Sequence, residues 1–407
     1  MQNVLIITSY IPYPLTSGGN QAQFYIDNYL RQHFNLHLLY NENKTNDKKS
    51  ANSLKEKWPD VILIPYNWKN KEDKITILWN KLLRRLTPRI SKSSNNLTDL
   101  LPYPEISESF IETVNHAIDQ YKIDLVQIEF YQFMPIVAAL PHHVKKVFIQ
   151  HEIQYVRNNL QKEVSGDDNK NMSRFVSEIL KDYEISLMNR YDVIVTLTDI
   201  DKKKLLFDGV TTRIEASPAC VTDKIYKTDY IPTGTNVVFI GGEGHYPNYD
   251  GLCWFLDEVW NDILNEDPLV KLSIVGKWSD DTKNAYTNRY KSVRFLGYVD
   301  DISTVLSNSI MIVPIRIGSG MRMKIVEAAN IGCPFVATSV GVEGLNFEPE
   351  TDFLLADSPN DYKDQLLRLL HSKVLQNKFS ENIKRIYRNQ YSISVLGTRR
   401  AEILESI

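Results

Sequence analysis

Length, composition and charge place the chain among globular proteins and exclude several other classes. It has 407 residues, enough for two or three ordinary domains, and its 43% hydrophobic and 24% charged residues argue against a disordered or fibrous protein. With 47 basic and 50 acidic side chains the net charge is −3, which gives no support to a general nucleic-acid-binding surface. The three cysteines are far apart without metal-ligand spacing, and we expect buried free thiols in a reducing compartment at Cys220, Cys253 and Cys333.

The start of the chain and its hydropathy pattern favour a cytoplasmic protein. Residues 1–7 lead directly into a strand pattern without a basic region, so no signal peptide is predicted. No apolar run reaches the roughly 20 residues that a membrane-spanning helix needs. We therefore expect a cytoplasmic location, with peripheral contact at the inner face of the membrane as a further option.

Short apolar runs alternate along the chain with longer helical patterns, which is typical of parallel βαβ units. In the first half the predicted strands are Val4–Ile7, Leu36–Tyr40, Val61–Pro65, Leu125–Glu129, Lys146–Gln150 and Val193–Leu197. In the second half they are Val237–Gly242, Lys271–Val275, Val293–Leu296, Ile310–Pro314, Pro334–Thr338 and Phe353–Ala356. Helices are predicted from about Gln21, near Tyr249–Ile263, and from Tyr362 to the end.

A polar, aperiodic segment separates the two halves. Residues 222–235 contain Pro232 and Gly234 and are the best linker candidate. The predicted fold class is α/β, with two Rossmann-like doubly wound domains over residues 1–222 and 235–390. Because ligands bind at the carboxyl ends of the strands in such sheets, the cleft between the domains is the expected site.

The strongest chemical signal is a strand, a glycine-rich turn and a helix around Gly318. Gly318 and Gly320 let the backbone approach a ligand, and the N-terminus of a helix that starts near Gly320 offers free amides to an anion. Arg322 in the first turn would oppose the helix dipole, which a bound phosphate would compensate. Lys324 adds a second cation. The alternative is a tight turn with a Lys324–Glu327 pair on the surface.

Two other segments lie where ligands are expected in such domains. The loop Tyr10–Asn20, with Gly18 and Gly19, follows the first strand, although an ordinary connecting loop is an equal alternative. His151 ends a strand and can donate a hydrogen bond to a sugar hydroxyl or a phosphate, although the alternative for a lone histidine is a structural role. His245 follows the first strand of the second half and is the next candidate among the histidines for contact with a ligand.

Together these segments resemble the retaining glycosyltransferases of family 4, which have the GT-B fold. The resemblance covers nearly the whole chain and is strongest over Gly318–Gly344, where Glu327-Ala328, Gly332-x-Pro334 and Gly341-Val342-Glu343-Gly344 follow the turn. Further matching segments are Val4–Asn20, Phe148–Glu152, Tyr191–Thr198, Phe239–Gly251 and Val293–Val299. The resemblance implies that residues 391–407 form a helix that packs back on the first domain.

The resemblance also implies roles for individual residues. Glu327 matches the second glutamate of the Glu-x7-Glu motif, which holds the donor ribose, whereas Ser319 replaces the first in a Gly-Ser-Gly-x-Arg-x-Lys variant. Arg322 and Lys324 are the implied pyrophosphate ligands, and His151 is the implied acceptor-side histidine. The implied catalytic residues are thus His151, Arg322, Lys324 and Glu327. Implied donor-binding residues are Gly18, Gly19, Gly242, His245, Gly297, Tyr298, Val299, Gly318, Ser319, Gly320, Met321 and Met323, with Asn20 on the acceptor side.

The implied reaction is a metal-independent hexosyl transfer, class EC 2.4. A sugar moves from a uridine or guanosine diphosphate sugar to a hydroxyl of a glycan or lipid-linked glycan, with retention of the anomeric configuration. Negative charge grows on the leaving phosphate, which can take the acceptor proton, so no cofactor or metal is expected. The Asp-Asp pairs at 167–168, 280–281 and 300–301 are expected in surface loops or at helix starts.

Residues 74–92 have the composition of an interfacial amphipathic helix. Ile75, Leu78, Trp79 and Leu82 fall at helical spacing among lysines and arginines, which would allow peripheral membrane contact. The alternative is a helix whose apolar side packs on the sheet.

Three other functions compete with the transferase. A non-catalytic GT-B scaffold that binds a partner glycosyltransferase is motivated by Ser319. A GT-B sugar-nucleotide epimerase would need no acceptor. A nicotinamide oxidoreductase is disfavoured, because no Gly-x-Gly-x-x-Gly follows the first strand of either domain.

Overall fold

The computed structural model describes residues 1–15, 18–42, 45–67, 106–157, 170–224, 226, 229–318 and 321–407. The predicted helix at 74–92 lies outside the described residues, as do Ser319, Gly320 and the pair Asp167-Asp168.

The described residues form two separate sheets in which every strand pairing is parallel. The first sheet has the order β3-β2-β1-β4-β5-β6-β7. Its strands are β1 (Asn3–Thr8), β2 (Asn35–Asn41), β3 (Ile62–Tyr66), β4 (Leu125–Glu129), β5 (Lys145–Gln150), β6 (Val193–Thr196) and β7 (Arg213–Ala216). The second has the order β10-β9-β8-β11-β12-β13. Its strands are β8 (Asn236–Ile240), β9 (Lys271–Val275), β10 (Val293–Gly297), β11 (Ile310–Val313), β12 (Phe335–Ala337) and β13 (Leu354–Leu355).

Helices connect most of the strands. In the first half the described α-helices are Gly18–Leu30, Thr45–Lys57, Glu108–Tyr121, Lys170–Met188 and Asp199–Asp208, with a 3-10 helix at Tyr131–Ala139. In the second half they are Tyr246–Glu258, Trp260–Glu266, Asp280–Arg289, Ser303–Leu306, Met323–Ile331, Ser339–Val342, Pro359–Leu370, Lys373–Ile386 and Ile393–Glu405, with a π-helical turn at Tyr387–Tyr391.

Alternating side chains of each central strand enter two different cores. Leu5 and Ile7 pack with the helix Glu108–Tyr121, whereas Val4 and Ile6 pack on the opposite face of the sheet. A strand covered on both faces reads as a continuous apolar run, which is why these strands were recognisable in the sequence. The predicted architecture of two Rossmann-like doubly wound domains is confirmed.

The last helix of the chain, Ile393–Glu405, packs on the first helix, Gly18–Leu30. Its Gly397 lies against the Tyr29 ring so closely that a Cβ atom there would overlap the ring. Tyr29 and Thr398 share a hydrogen bond of 2.8 Å between their hydroxyl oxygens. The end of the chain therefore contacts the first sheet's helices. The limits 1–222 and 235–390 remain our proposal for the domains.

Several predicted element boundaries are wrong. The helix predicted near Tyr249–Ile263 is two helices, which meet at Val259 because its backbone departs from helical geometry, with φ −120° and ψ −42°. The helix predicted to start near Gly320 begins at Met323, with Arg322 as its N-cap residue. Strand β7 was not predicted, since its alternating Arg-Ile-Glu-Ala sequence contains too few apolar residues to stand out.

Candidate active site

A cleft of about 1280 Å³ separates the carboxyl ends of the two sheets. Its walls come from the segments that follow β1, β4, β5 and β6 in the first sheet, and β8, β9, β10 and β11 in the second. The following residues of the predicted site line this cleft: Gly18, Gly19, His151, Gly242, His245, Tyr298, Val299, Met321, Arg322, Met323, Lys324 and Glu327. The carboxyl ends of parallel strands therefore bring together segments from across the chain, as such sheets do in general.

Some residues of the predicted site do not line the cleft. The Asn20 amide donates a 3.0 Å hydrogen bond to the Ile11 carbonyl, so its side chain supports the loop after β1. Gly297 and Gly318 have φ values of +72° and +121°, and they shape the turns that carry their neighbours to the cleft.

Lys324 is a half-buried cation on the second-domain wall. Its Nζ donates a 2.8 Å hydrogen bond to Oδ1 of Asn248 and lies 4.8 Å from the centroid of the Phe239 ring. Burial, and then the neighbouring charge of Arg322, lower the pKa of Lys324 to about 7. The alternative of a surface pair between Lys324 and Glu327 is not found among the described ion pairs, and Lys324 bonds to Asn248 instead. A phosphate in the cleft would favour the protonated ammonium.

Asn248 is a site residue that the sequence reasoning missed. While its Oδ1 accepts from Lys324, its Nδ2 donates to the Gly242 carbonyl at 3.3 Å. The amide also packs against Gly241, where a Cβ atom would lie 2.6 Å from the Asn248 Cγ. Asn248 thus positions both the cation and the glycine loop. The available signal was Pro247-Asn248 at the start of a helix, since proline favours the first helical positions.

Arg322 is half-buried where the glycine-rich turn meets the helix Met323–Ile331. Its guanidinium folds over Gly318, and a Cβ atom at that glycine would lie 3.0 Å from Nη2. Because the helix begins after Arg322, this residue caps the N-terminus rather than occupying the first turn. Arg322 was expected within the first turn, where a cation opposes the helix dipole, but it lies one position before that turn, at the cap.

Carboxylates surround the Arg322 guanidinium. Burial lowers the pKa of Arg322, while the negative charges of Glu152, Glu343 and Asp201 raise it. Glu152 and Asp201 belong to the first domain, and Glu343 to the second. We expected a bound phosphate to balance the positive charge of Arg322. Carboxylates of both domains already supply part of this negative charge.

Glu327 is a half-buried carboxyl group on the cleft wall. Burial raises the pKa of Glu327 to about 7, and the positive charge of Lys224 acts in the opposite direction. It can therefore accept hydrogen bonds as a carboxylate or donate one as an acid near neutral pH. Ribose hydroxyls, which both donate and accept, suit either form.

His151 follows β5 and is held from behind by a carboxylate. Its Nε2 lies 2.6 Å from Oε2 of Glu129, and its ring stacks on Phe130 with a centroid separation of 4.1 Å. Since Nε2 is engaged by Glu129, Nδ1 is the ring nitrogen that remains for a ligand.

His245 caps the N-terminus of the helix Tyr246–Glu258 and faces the same cleft. The side chain is exposed at the edge of the cleft, and desolvation by the surrounding protein, followed by the charge of Lys324, lowers the pKa of His245. The imidazole is consequently neutral at physiological pH and acts as a polar, uncharged group beside the two cations.

Other sequence expectations concern metals, thiols and membranes. Within the described ranges, no group of three or more His, Cys, Asp or Glu side chains could hold a metal ion. Asp280 is at the start of a helix and pairs with Lys283, and Asp301 accepts from Ser303. The three cysteines are free thiols, but Cys253 is only half-buried. None of the helices described here is long and apolar enough to cross a membrane.

Comparison with known proteins finds a family model that matches the second half of the chain, and a curated relative. Residues 234–372 match the family described as glycosyl transferases group 1. Over 121 residues, the chain is 29% identical to an uncharacterized 44.6 kDa protein in the cps region of Klebsiella pneumoniae. The alignment covers 27% of this chain and 30% of the Klebsiella protein, so the chain spans less than a third of that relative.

Several solved structures share the whole architecture. Sucrose-phosphate synthase from Thermosynechococcus elongatus has a TM-score of 0.71 at 14% identity, over 100% of this chain and 99% of that one. A mutant TarM of S. aureus, in complex with UDP and alpha-GlcNAc-glycerol, scores 0.69 at 13% identity over 98% and 99%. Anabaena HepE in complex with UDP-glucose scores 0.66 at 13% identity over both full chains. The chain therefore has the GT-B fold, and its second domain matches the group 1 glycosyl transferases.

Proposed function

We propose that this protein is a retaining glycosyltransferase of family 4. It moves a sugar from a UDP sugar to a hydroxyl of a glycan or lipid-linked glycan, in the biosynthesis of a cell-surface polysaccharide or glycoconjugate. The observation that carries the proposal is the half-buried Lys324, which faces a cleft that also contains His151 of the other domain. The uridine base is supported by the UDP complexes of TarM and HepE, and the polysaccharide role by the cps relative.

The second-domain wall provides the chemistry for a nucleoside diphosphate. Lys324, Arg322 and the N-terminal amides of the helix Met323–Ile331 would bind the diphosphate. Glu327 would bind the ribose hydroxyls. Donors placed at the leaving phosphate stabilise the charge that grows there, and removing one costs about 2.7–4 kcal/mol in comparable oxyanion sites.

The first-domain wall would receive the acceptor. Gly18, Gly19 and His151 line this side, and the loop that Asn20 supports continues it. In the proposed step, the bond from the anomeric carbon to the phosphate oxygen breaks, and a bond from that carbon to the acceptor oxygen forms on the same face. The acceptor proton passes to the leaving phosphate. Neither a protein base nor a metal is part of this step.

Ligand-dependent thermal stability tests the proposal. Purified protein is heated with UDP, GDP and their sugars in the presence of EDTA, because a ligand that binds only the native state must raise the melting temperature. We expect a shift with UDP that Lys324→Met abolishes and that Lys291→Met, at an exposed lysine of the same domain, retains. No shift with any nucleotide, in a folded sample, would overturn the proposal and favour the scaffold alternative.

Product analysis separates transfer from epimerisation and defines the stereochemistry. A UDP sugar that shifts the melting temperature is incubated with and without glycan acceptors. A transferase gives an acceptor-linked sugar with the donor's anomeric configuration, whereas an epimerase converts the sugar nucleotide with no acceptor present.

A further inference from the structure

Behind His151 lies a buried cluster of ionisable side chains from three separate segments. Asp27 comes from the first helix, Glu129 from the end of β4 and Arg400 from the last helix of the chain. These three side chains are 1%, 2% and 3% exposed, respectively. Together with His151 they line one small cavity of about 10 Å³. The last helix thus contributes a charged group to the interior directly behind the cleft.

Hydrogen bonds hold the cluster in place. Oε2 of Glu129 lies 2.6 Å from Nε2 of His151, and Oε1 accepts from Nε2 of Gln127 at 2.6 Å. The Arg400 guanidinium donates from Nε to the Ser217 hydroxyl at 3.1 Å and from Nη2 to the Ser217 carbonyl at 3.0 Å. Neither Glu129 nor Arg400 can therefore move freely.

The charges within the cluster nearly cancel. Burial, followed by the charge of Glu129, raises the pKa of Asp27 well above its usual range, while a hydrogen bond with Gln23 and the charge of Arg400 act in the opposite direction. With a proton on Asp27, Glu129 and Arg400 remain as one negative and one positive charge. Tyr10 also faces Glu129 and stays neutral, because burial raises its pKa. Arg400 is a buried cation in the same cavity as Glu129, and the negative charge of Glu129 raises the pKa of Arg400 against the effect of burial.

The protonation of the ring decides which hydrogen bond His151 can make in the cleft. In the neutral ring, Nε2 carries the proton and donates it to Glu129, so Nδ1 can only accept. In the imidazolium, both nitrogens carry protons and Nδ1 can donate to a hydroxyl or phosphate oxygen. A carboxylate behind the ring favours the imidazolium, and a cation beside that carboxylate opposes it.

We propose that Arg400 is a positioning residue for His151. Acting through Glu129, it sets the pH at which His151 becomes an imidazolium, and hence whether Nδ1 accepts from or donates to a substrate in the cleft. The inference rests on the proposed function for the identity of that substrate. The last helix of the chain would then contribute a residue that acts on the site, in addition to packing on the first helix.

Nuclear magnetic resonance of the full chain with isotope-labelled histidine tests the proposal. The His151 resonance is assigned by its loss in His151→Gln. We expect Arg400→Gln, which keeps a donor for the Ser217 carbonyl, to raise the titration midpoint of that resonance by about one pH unit, or roughly tenfold in proton affinity. Arg400→Lys keeps the charge and should hold the wild-type midpoint, as should Arg388→Gln at an exposed arginine. Glu129→Gln should lower it.

An unchanged midpoint in folded Arg400→Gln would overturn the inference, and so would a shift of equal size in Arg400→Lys. The other histidine resonances and the melting temperature report whether each variant is folded. If Arg400→Gln does not fold, Arg400→Met removes the same charge with an apolar side chain and carries the same expectation. No nucleotide is present in this experiment, so its outcome is independent of whether the protein binds UDP.

Discussion

Nζ of Lys324 lies 2.8 Å from Oδ1 of Asn248, across a sequence separation of 76 residues. This hydrogen bond ties the helix that follows the glycine-rich turn to the first helix of the second domain. Because the same amide donates to the Gly242 carbonyl, one side chain fixes both the cation and the loop opposite it.

Replacing Asn248 should weaken nucleotide binding without unfolding the domain. In Asn248→Ala, Lys324 loses its acceptor and the glycine loop loses a donor, so we expect UDP affinity to fall about tenfold, equivalent to one net hydrogen bond of roughly 1.4 kcal/mol. Isothermal titration calorimetry measures the change. Asn265→Ala, at an exposed asparagine of the same domain, is the matched control. Equal UDP affinities for Asn248→Ala and the control would contradict this role.

The sheets, and the cleft residues that lie at strand ends, could be predicted from the sequence for one physical reason. Central parallel strands are buried on both faces and read as apolar runs, and the residues just beyond them must meet at one edge. His151 was found in this way, whereas Lys324 was found from the glycine-rich turn that follows β11. Strand β7 was missed, because Arg213 and Glu215 interrupt its apolar pattern.

The supporting residues of the site could not be predicted in the same way. Asn248, Glu129 and Arg400 each act through a partner that is distant in the sequence, and no local pattern identifies that partner. Arg400 belongs to a helix whose periodicity shows only that one side is buried. Which polar group meets which is decided by how the helices pack on the sheet, and no single-sequence pattern encodes that arrangement.

Binding of UDP should exchange protons in a direction that reverses near pH 7. Phosphate raises the pKa of Lys324 from about 7, so binding takes up a proton at about pH 8. Ribose hydroxyls that donate to Glu327 lower its pKa from about 7, so binding releases a proton at about pH 6. Calorimetry in buffers of different ionisation enthalpy measures both signs. Lys324→Met should abolish the uptake and leave the release, whereas uptake that persists in this variant would contradict the assignment.

Glu327→Gln should make the protein more stable at alkaline pH while it weakens nucleotide binding. The pKa of Glu327 is raised in the folded state, from 4.5 to about 7, so its favourable contribution is complete below about pH 4.5 and is lost as the pH rises through 7. The neutral amide of glutamine does not lose this contribution as the pH rises. We therefore expect the free energy of unfolding to increase by an amount on the order of 1–3 kcal/mol at about pH 8, and not to change at about pH 4. Urea unfolding at both pH values measures it.

The control for Glu327→Gln is Glu258→Gln, at an exposed glutamate of the same domain. This control should change neither the free energy of unfolding nor the affinity for UDP. A gain in stability together with weaker UDP binding would mean that the carboxyl group is kept for ligand binding at the expense of stability. A gain that is equal at the two pH values would show that the buried charge is not its cause.

Gly397→Ala should destabilise the protein, because the last helix packs too closely on Tyr29 for a methyl group. Alanine improves helix propensity by about 1 kcal/mol, but overpacking costs roughly 1–3 kcal/mol, so we expect a net loss of about 1 kcal/mol. Gly234→Ala is the control, since a Cβ atom there meets nothing within 4 Å. Removing the ring in Tyr29→Ala creates room, and the double variant should lose less stability than the sum of the two single changes. If the losses in the free energy of unfolding were strictly additive in urea experiments, the contact between Gly397 and Tyr29 would be contradicted. Other contacts would then position the last helix and its Arg400.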